Sequence, residues 1–160
     1  MSNIDGLNND GLNENPKKDN EQAKAGEDGS MNSLIPQEAG ELISRTEVVT
    51  RSVIKNLIRE AFRAMDKAYA PYSGFYVGAA LITMDEKIYT GCNIENASYG
   101  LTSCAEQTAI CKAVSEGEKK FAAIAIVGGK DRIVSDFCPP CGKCRQLLRE
   151  FVSPESFLVI

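Results

Sequence analysis

The chain has 160 residues, 43% of them hydrophobic and 25% charged, with a net charge of -4 and no histidine. This balance suits one soluble domain with a polar tail, offers no Lys/Arg-rich face for nucleic acid, and contains no apolar run long enough to span a membrane. The opening "MSNIDGLNNDGLNEN" has no basic cap followed by an apolar core, so it is not a secretory signal. The expected location is the cytosol, where six cysteines serve as free thiols or metal ligands rather than disulfides.

Residues 1–45 are rich in Asn, Asp, Glu, Lys and Gly, and "DGLN" occurs twice without building a repeat. Such a segment cannot bury enough apolar surface to offset its ordering entropy, so it reads as a disordered polar extension. A domain is expected over 46–160. Val53, Leu57, Ala61, Ala64 or Met65, and Ala68 recur at helical steps, and "APYSG" ends that helix. "FYVGAALITM" (75–84) and "KIYTGCNI" (87–94) read as a hairpin about a tight "DE" turn. A helix over about 103–116 follows, then "FAAIAIVGG" (121–129), an apolar run suited to a strand buried on both faces. A helix over about 141–151 and a strand at "FLVI" (157–160) complete the order α-β-β-α-β-α-β. The strand-helix-strand crossover after a hairpin predicts an α/β fold with a mixed sheet covered by helices.

Two helix entrances carry thiols: "SCAEQTAICKAV" (103–114) and "CPPCGKCRQLL" (138–148). A helix N-terminus carries roughly half a positive charge and free N–H groups, which steady a thiolate, the form that binds metal. Cys104, Cys138, Cys141 and Cys144 could close a four-sulfur structural zinc site or hold an iron–sulfur cluster. Alternatively Cys104, Cys141 and Cys144 leave a fourth position for water, with Glu106 beside them as proton shuttle. A strict helix would turn Glu106 about 200° from Cys104, so the two converge only if Cys104 sits at a bent helix entrance. Spacing leaves the open and closed sites equally tenable. Cys92 and Cys111 read as buried small hydrophobes.

"APYSGFYVGAAL", "GCNIENASY", "CAEQTAICKAVSEG" and "PCGKCRQLLREF" follow one another as in the small, tetrameric type of zinc-dependent cytidine deaminase, and the resemblance covers about residues 48–160. A related signature of Cys, Glu two places on and Pro-Cys-x-x-Cys is general to zinc deaminases. The resemblance implies a three-layer α/β/α fold, a homotetramer and a zinc ion held by Cys104, Cys141 and Cys144, with Glu106 as catalytic acid/base. It implies that Asn93 and Glu95 hold the ribose hydroxyls and that Phe75 lies against the pyrimidine. Tyr72 and Tyr99 would stand close to the site, and backbone groups of Ser103 and Ala105 would grip the base. The activity implied is hydrolytic deamination of cytidine and 2′-deoxycytidine by a zinc-activated water, with release of ammonia, in pyrimidine salvage. The alternative is a non-catalytic protein stapled by the four-cysteine zinc site. Two departures stand out. Gln107 occupies a position where three-cysteine members carry arginine, and the resemblance implies one more strand and a closing helix after Ile160, so the domain is expected to be C-terminally short.

Overall fold

A computed structural model of the protein describes residues 48–160; the polar extension expected over 1–45 lies outside the described residues. The elements occur in the expected order. Helix α1 spans Arg51–Met65 and starts at Thr50, whose hydroxyl oxygen accepts the Val53 N–H at 3.3 Å. Leu57, Ala61, Ala64 and Met65 form its buried stripe. Strands β1 (Phe75–Thr83) and β2 (Ile88–Cys92) make the hairpin, with Glu86 at a φ of 62° in the turn. A 3-10 turn at Tyr99–Leu101 leads into α2 (Ala105–Ser115). Strand β3 (Phe121–Lys130), helix α3 (Gly142–Arg149) and strand β4 (Leu158–Val159) follow.

The sheet has the order β2-β1-β3-β4. β1 is antiparallel to both β2 and β3, whereas β3 and β4 are parallel, which gives the mixed sheet that the connectivity predicts. Alternate residues of β1 serve opposite faces, as the two-residue period of a strand requires. Ala79 and Leu81 join Ala109 and Ile110 of α2 and Leu148 of α3, while Ala80 and Ile82 join Leu57, Ala61 and Met65 of α1. Helix α1 thus covers one face and α2 with α3 the other. β3 is buried from Phe121 to Gly129, consistent with its apolar sequence. Among the described residues, no helix is long and apolar enough to cross a membrane.

Two expectations are corrected. Helix α2 starts at Ala105 rather than near 103, because Ser103 pairs with Ile94 in an antiparallel bridge: Ser103 N–H donates to the Ile94 carbonyl at 3.0 Å and Ile94 N–H to the Ser103 carbonyl at 2.9 Å. Cys92 is half-buried and Cys111 exposed, rather than both buried. α2 turns Ala109, Ile110 and Ala113 inward, which leaves Cys111 on its outer face, and Cys92 ends the edge strand β2.

Candidate active site

The site begins with strand direction. β2 and β3 both run antiparallel to β1, so they point the same way and each leads toward a helix entrance. Cys104 is the N-cap of α2 (φ -74°, ψ 157°) and Cys141 the N-cap of α3 (φ -67°, ψ 169°). Ser, Thr, Asp or Asn is favoured at such positions, and here both hold cysteine. Cys144, one turn into α3, is fully buried. The sulfur atoms of Cys104, Cys141 and Cys144 all lie within 4.8 Å of one another, and Cys104 Sγ is 3.7 Å from Cys141 Sγ. Cys138 stands outside this group, so the closed four-sulfur alternative is not favoured. The extended backbone at Cys104 also removes the angular objection to Glu106. One of the two steps between them is not helical, and the buried Glu106 carboxylate acts on the Cys104, Cys144 and Cys138 thiols.

Electrostatics favour a cation among the sulfurs. Burial pushes the Cys144 thiol far up, and the Glu106 charge adds to that shift. Burial likewise raises Cys104. Cys141 is lowered, chiefly by the Cys144 N–H that faces its sulfur. Three soft sulfur donors with no imidazole among them suit zinc, and a dication would supply the charge that three crowded thiolates need.

A second group of residues lies where β2 leaves the sheet. Asn93 is buried; its Oδ1 accepts the Val77 N–H at 2.8 Å and its Nδ2 donates to the Phe75 carbonyl at 2.8 Å. One N–H and one lone pair of the amide remain free of these bonds. Glu95 Oε2 accepts the N–H groups of Tyr72 at 2.9 Å and Ser73 at 3.2 Å, and Oε1 accepts the Ser73 hydroxyl. The Ser73 hydroxyl, followed by those two backbone donors, holds the Glu95 carboxyl below its ordinary value. Tyr72, Ser73, Glu95, Tyr99 and Thr102 line a cavity of about 310 Å³.

The remaining expected residues sit around these two groups. Phe75 is partly exposed beside Gly128, and Tyr99 is largely exposed in the 3-10 turn. Ala105 is fully buried at the first position of α2. The Ser103 N–H is given to Ile94, so of its backbone groups only the carbonyl keeps a spare lone pair. Gln107 Oε1 is buried without a hydrogen-bond partner among the described residues. Arg145 donates from Nε to the Pro140 carbonyl at 2.8 Å, bracing the turn that carries Cys141.

Sequence reasoning missed three residues. Ser73 braces Glu95, Thr102 lines the same cavity, and Thr108 Oγ1 lies 3.1 Å from the carbonyls of both Cys92 and Cys104, tying α2 to the end of β2. A polar residue beside a turn glycine signalled Ser73; for the two threonines no local pattern existed. A cavity of about 630 Å³ runs along α3 and β4 and is lined by Pro140, Leu148, Val152 and Phe157 with none of the cysteines.

The family model described as the cytidine and deoxycytidylate deaminase zinc-binding region matches residues 51–159. A cytidine deaminase of Halalkalibacterium halodurans is 55% identical over 94 residues, which cover 59% of this chain and 68% of the relative. One from Sporosarcina psychrophila is 51% identical over 98 residues, 61% of this chain and 69% of the relative. The crystal structure of the cytidine deaminase from Burkholderia pseudomallei superposes with a TM-score of 0.57 at 50% identity, covering 64% of this chain and 77% of that one.

Proposed function

Since the chain belongs to the cytidine and deoxycytidylate deaminase family, we propose that it hydrolyses cytidine and 2′-deoxycytidine to the corresponding uridines, releasing ammonia, as a cytosolic step of pyrimidine salvage. The observation that carries this reading is the three-sulfur group at two helix entrances with the buried Glu106 carboxylate acting on it. Cys104, Cys141 and Cys144 would hold zinc. Bound there, zinc supplies Lewis acidity that lowers the pKa of a water molecule toward neutrality.

The remaining steps belong to the chain's own residues. Water adds to C4 of the cytosine ring while Glu106 takes one of its protons and delivers it to ring N3. Glu106 then carries the second proton to the 4-amino group, the C4–N bond breaks and ammonia leaves, so the ring keeps the water oxygen as the uracil carbonyl. Asn93 and Glu95 orient the sugar: Asn93 is anchored to the start of β1 and Glu95 to the loop before it, and both retain hydrogen-bonding capacity beyond that anchor. Phe75 packs against the ring, Ala105 offers backbone groups to its polar edge, and Tyr99 borders the sugar cavity. A homotetramer would cover the exposed Tyr72, Tyr99, Leu101 and Phe137 around the site.

The test is an ultraviolet assay of the zinc-loaded protein with cytidine and deoxycytidine, beside Glu106→Gln. The wild type is expected to turn over both nucleosides, and the variant to keep its zinc while losing about 10²–10⁴-fold in kcat. A zinc-loaded Glu106→Gln protein with undiminished turnover would remove Glu106 from the chemistry. Light scattering on the same sample reads the oligomeric state; a monomer at full activity counts against the tetramer.

A further inference from the structure

The loop before β1 holds Glu95 through one residue twice. Ser73 donates its N–H to Glu95 Oε2 at 3.2 Å and its hydroxyl to Oε1, and the same Oγ accepts the Phe75 N–H at 2.9 Å. Gly74, at a φ of 65°, turns the chain between Ser73 and Phe75. The Tyr72 N–H, at 2.9 Å, is the other donor to Oε2. A carboxylate offers about four lone-pair sites, two on each oxygen. Oε2 is thus filled, and Oε1 keeps one site. Asn93 keeps one N–H and one lone pair beyond its bonds to Val77 and Phe75. A hydroxyl that donates to Oε1 and accepts the free Asn93 N–H is fully satisfied. Neither side chain of the pair then has a donor left for a second hydroxyl.

We propose that Ser73 is a specificity-determining positioning residue: by occupying one side of Glu95 Oε1, its hydroxyl limits the carboxylate to a single sugar hydroxyl and keeps a vicinal diol from donating to it twice. This rests on the nucleoside-deaminating function proposed above. Ser73 is exposed and lines the same cavity as Glu95, Tyr99 and Thr102, so it acts where the sugar lies and not in the core. The 2′-hydroxyl of ribose then meets no charged acceptor, and the site accepts ribose and deoxyribose alike. Removing the Ser73 hydroxyl has two effects. It unclamps the carboxylate, which weakens both nucleosides. It also opens the second Oε1 site, which only a ribonucleoside has a hydroxyl to fill.

The experiment uses the full zinc-loaded chain, with cytidine and 2′-deoxycytidine as substrates and their products, uridine and 2′-deoxyuridine, as binding probes in calorimetry. Ser73→Ala is expected to raise the KM of deoxycytidine about fivefold or more, because the carboxylate loses a charge-assisted brace. The cytidine to deoxycytidine ratio of kcat/KM is expected to rise about threefold or more, through KM rather than kcat. Calorimetry is expected to show the same widening between the Kd values of the two products. Ser73→Thr keeps the hydroxyl and is expected to hold both ratios within about twofold of the wild type. In a Glu95→Ala background, Ser73→Ala is expected to leave the ratio within about twofold of its parent, since the acceptor it governs is gone. A Ser73→Ala protein that loses both nucleosides in equal proportion overturns the inference and leaves the proposed function standing, because a merely loosened loop behaves that way. An equal widening without Glu95 overturns it as well, because Ser73 would then act by another route. If the wild type neither binds uridine nor turns over cytidine, the proposed function falls and this inference with it.

Discussion

Cys104 lies outside the helix it opens, and under the proposed function that extended backbone lets Cys104 and Glu106, two apart in sequence, serve one centre. Cys141 repeats the device at α3 and places Cys144 one turn on, at the buried side. Each sulfur is therefore irreplaceable by its neighbour. Cys141→Ser is expected to abolish stoichiometric zinc in the purified protein, whereas Cys138→Ser keeps it; metal analysis of the two variants checks this, and zinc loss in Cys138→Ser would restore the closed site. Gln107 follows Glu106 in the first turn of α2. Its buried Oε1 has no partner among the described residues, and a neutral amide offers hydrogen bonds roughly half as strong as charge-assisted ones. Gln107→Arg is expected to keep zinc and to leave turnover unchanged or raised, because the guanidinium offsets the negative charge of three thiolates. A folded, zinc-loaded Gln107→Arg protein with sharply reduced kcat would contradict that account.

Helix α2 sits so close to β2 that its backbone occupies the place of a side chain. A Cβ at Gly91 would lie 2.3 Å from the Ala105 carbonyl oxygen and 2.5 Å from the Ala109 nitrogen. Gly91→Ala must push α2 outward and Cys104 with it, so it is expected to cost about 3 kcal/mol in stability and to weaken zinc as well. Leu57→Ala, in α1 on the other face of the sheet, removes a fully buried side chain for a similar cost of about 3 kcal/mol but moves no ligand. Chelator competition on the two folded variants separates them: zinc affinity falls in Gly91→Ala and holds in Leu57→Ala. The loop that leads into β1 is secured differently, by Glu95 reaching back to Tyr72 and Ser73. The folded Glu95 pKa is depressed below its ordinary value of 4.5, first by the Ser73 hydroxyl. Such a carboxylate contributes stability that is fully present above that value and is lost as pH falls through the lower folded pKa. The stability difference between wild type and Glu95→Gln, read from urea midpoints, is therefore expected to be flat near neutrality and to shrink below pH 4.5. A difference that stays constant into acid would show that the brace does not depend on the charge.

Across the whole molecule, the sulfur cluster joins two chain segments that are far apart in sequence. Cys104 enters α2 and Cys141 enters α3, and both helices pack on the same face of the sheet. A metal bound to all three sulfurs pins those segments together in the native state, which the unfolded chain cannot do with equal affinity. Ligand linkage then gives about 4 kcal/mol when free zinc exceeds its Kd 1,000-fold. For a domain of this size that corresponds to a fall in Tm on the order of 10 °C when zinc is stripped by chelation. Differential scanning fluorimetry of the loaded and stripped protein measures it. A stripped protein that melts at the same temperature would mean that the sulfurs are not bridged.

Local pattern alone determined the order of elements, the mixed sheet, and the helix entrances where chemistry is concentrated. These depend on periodicity and on turn residues such as "APYSG", and neighbouring residues carry both signals. It also brought out Cys104, Glu106, Cys141 and Cys144 as a candidate set, because zinc chemistry restricts residue type and spacing together. Whether Cys138 closed that set was undecidable from spacing, since three cysteines at equal intervals look alike along a chain. The fold separates them by turning Cys138 toward Gly128 and Phe75 and by gathering the other three within 4.8 Å. Tertiary structure alone likewise exposed Cys111, tied Glu95 to Ser73 and ended the free backbone at Ser103. The reason is common to all of these. A side chain's direction and its hydrogen-bond partners are fixed by elements that pack from distant parts of the chain, and no local window of sequence contains them.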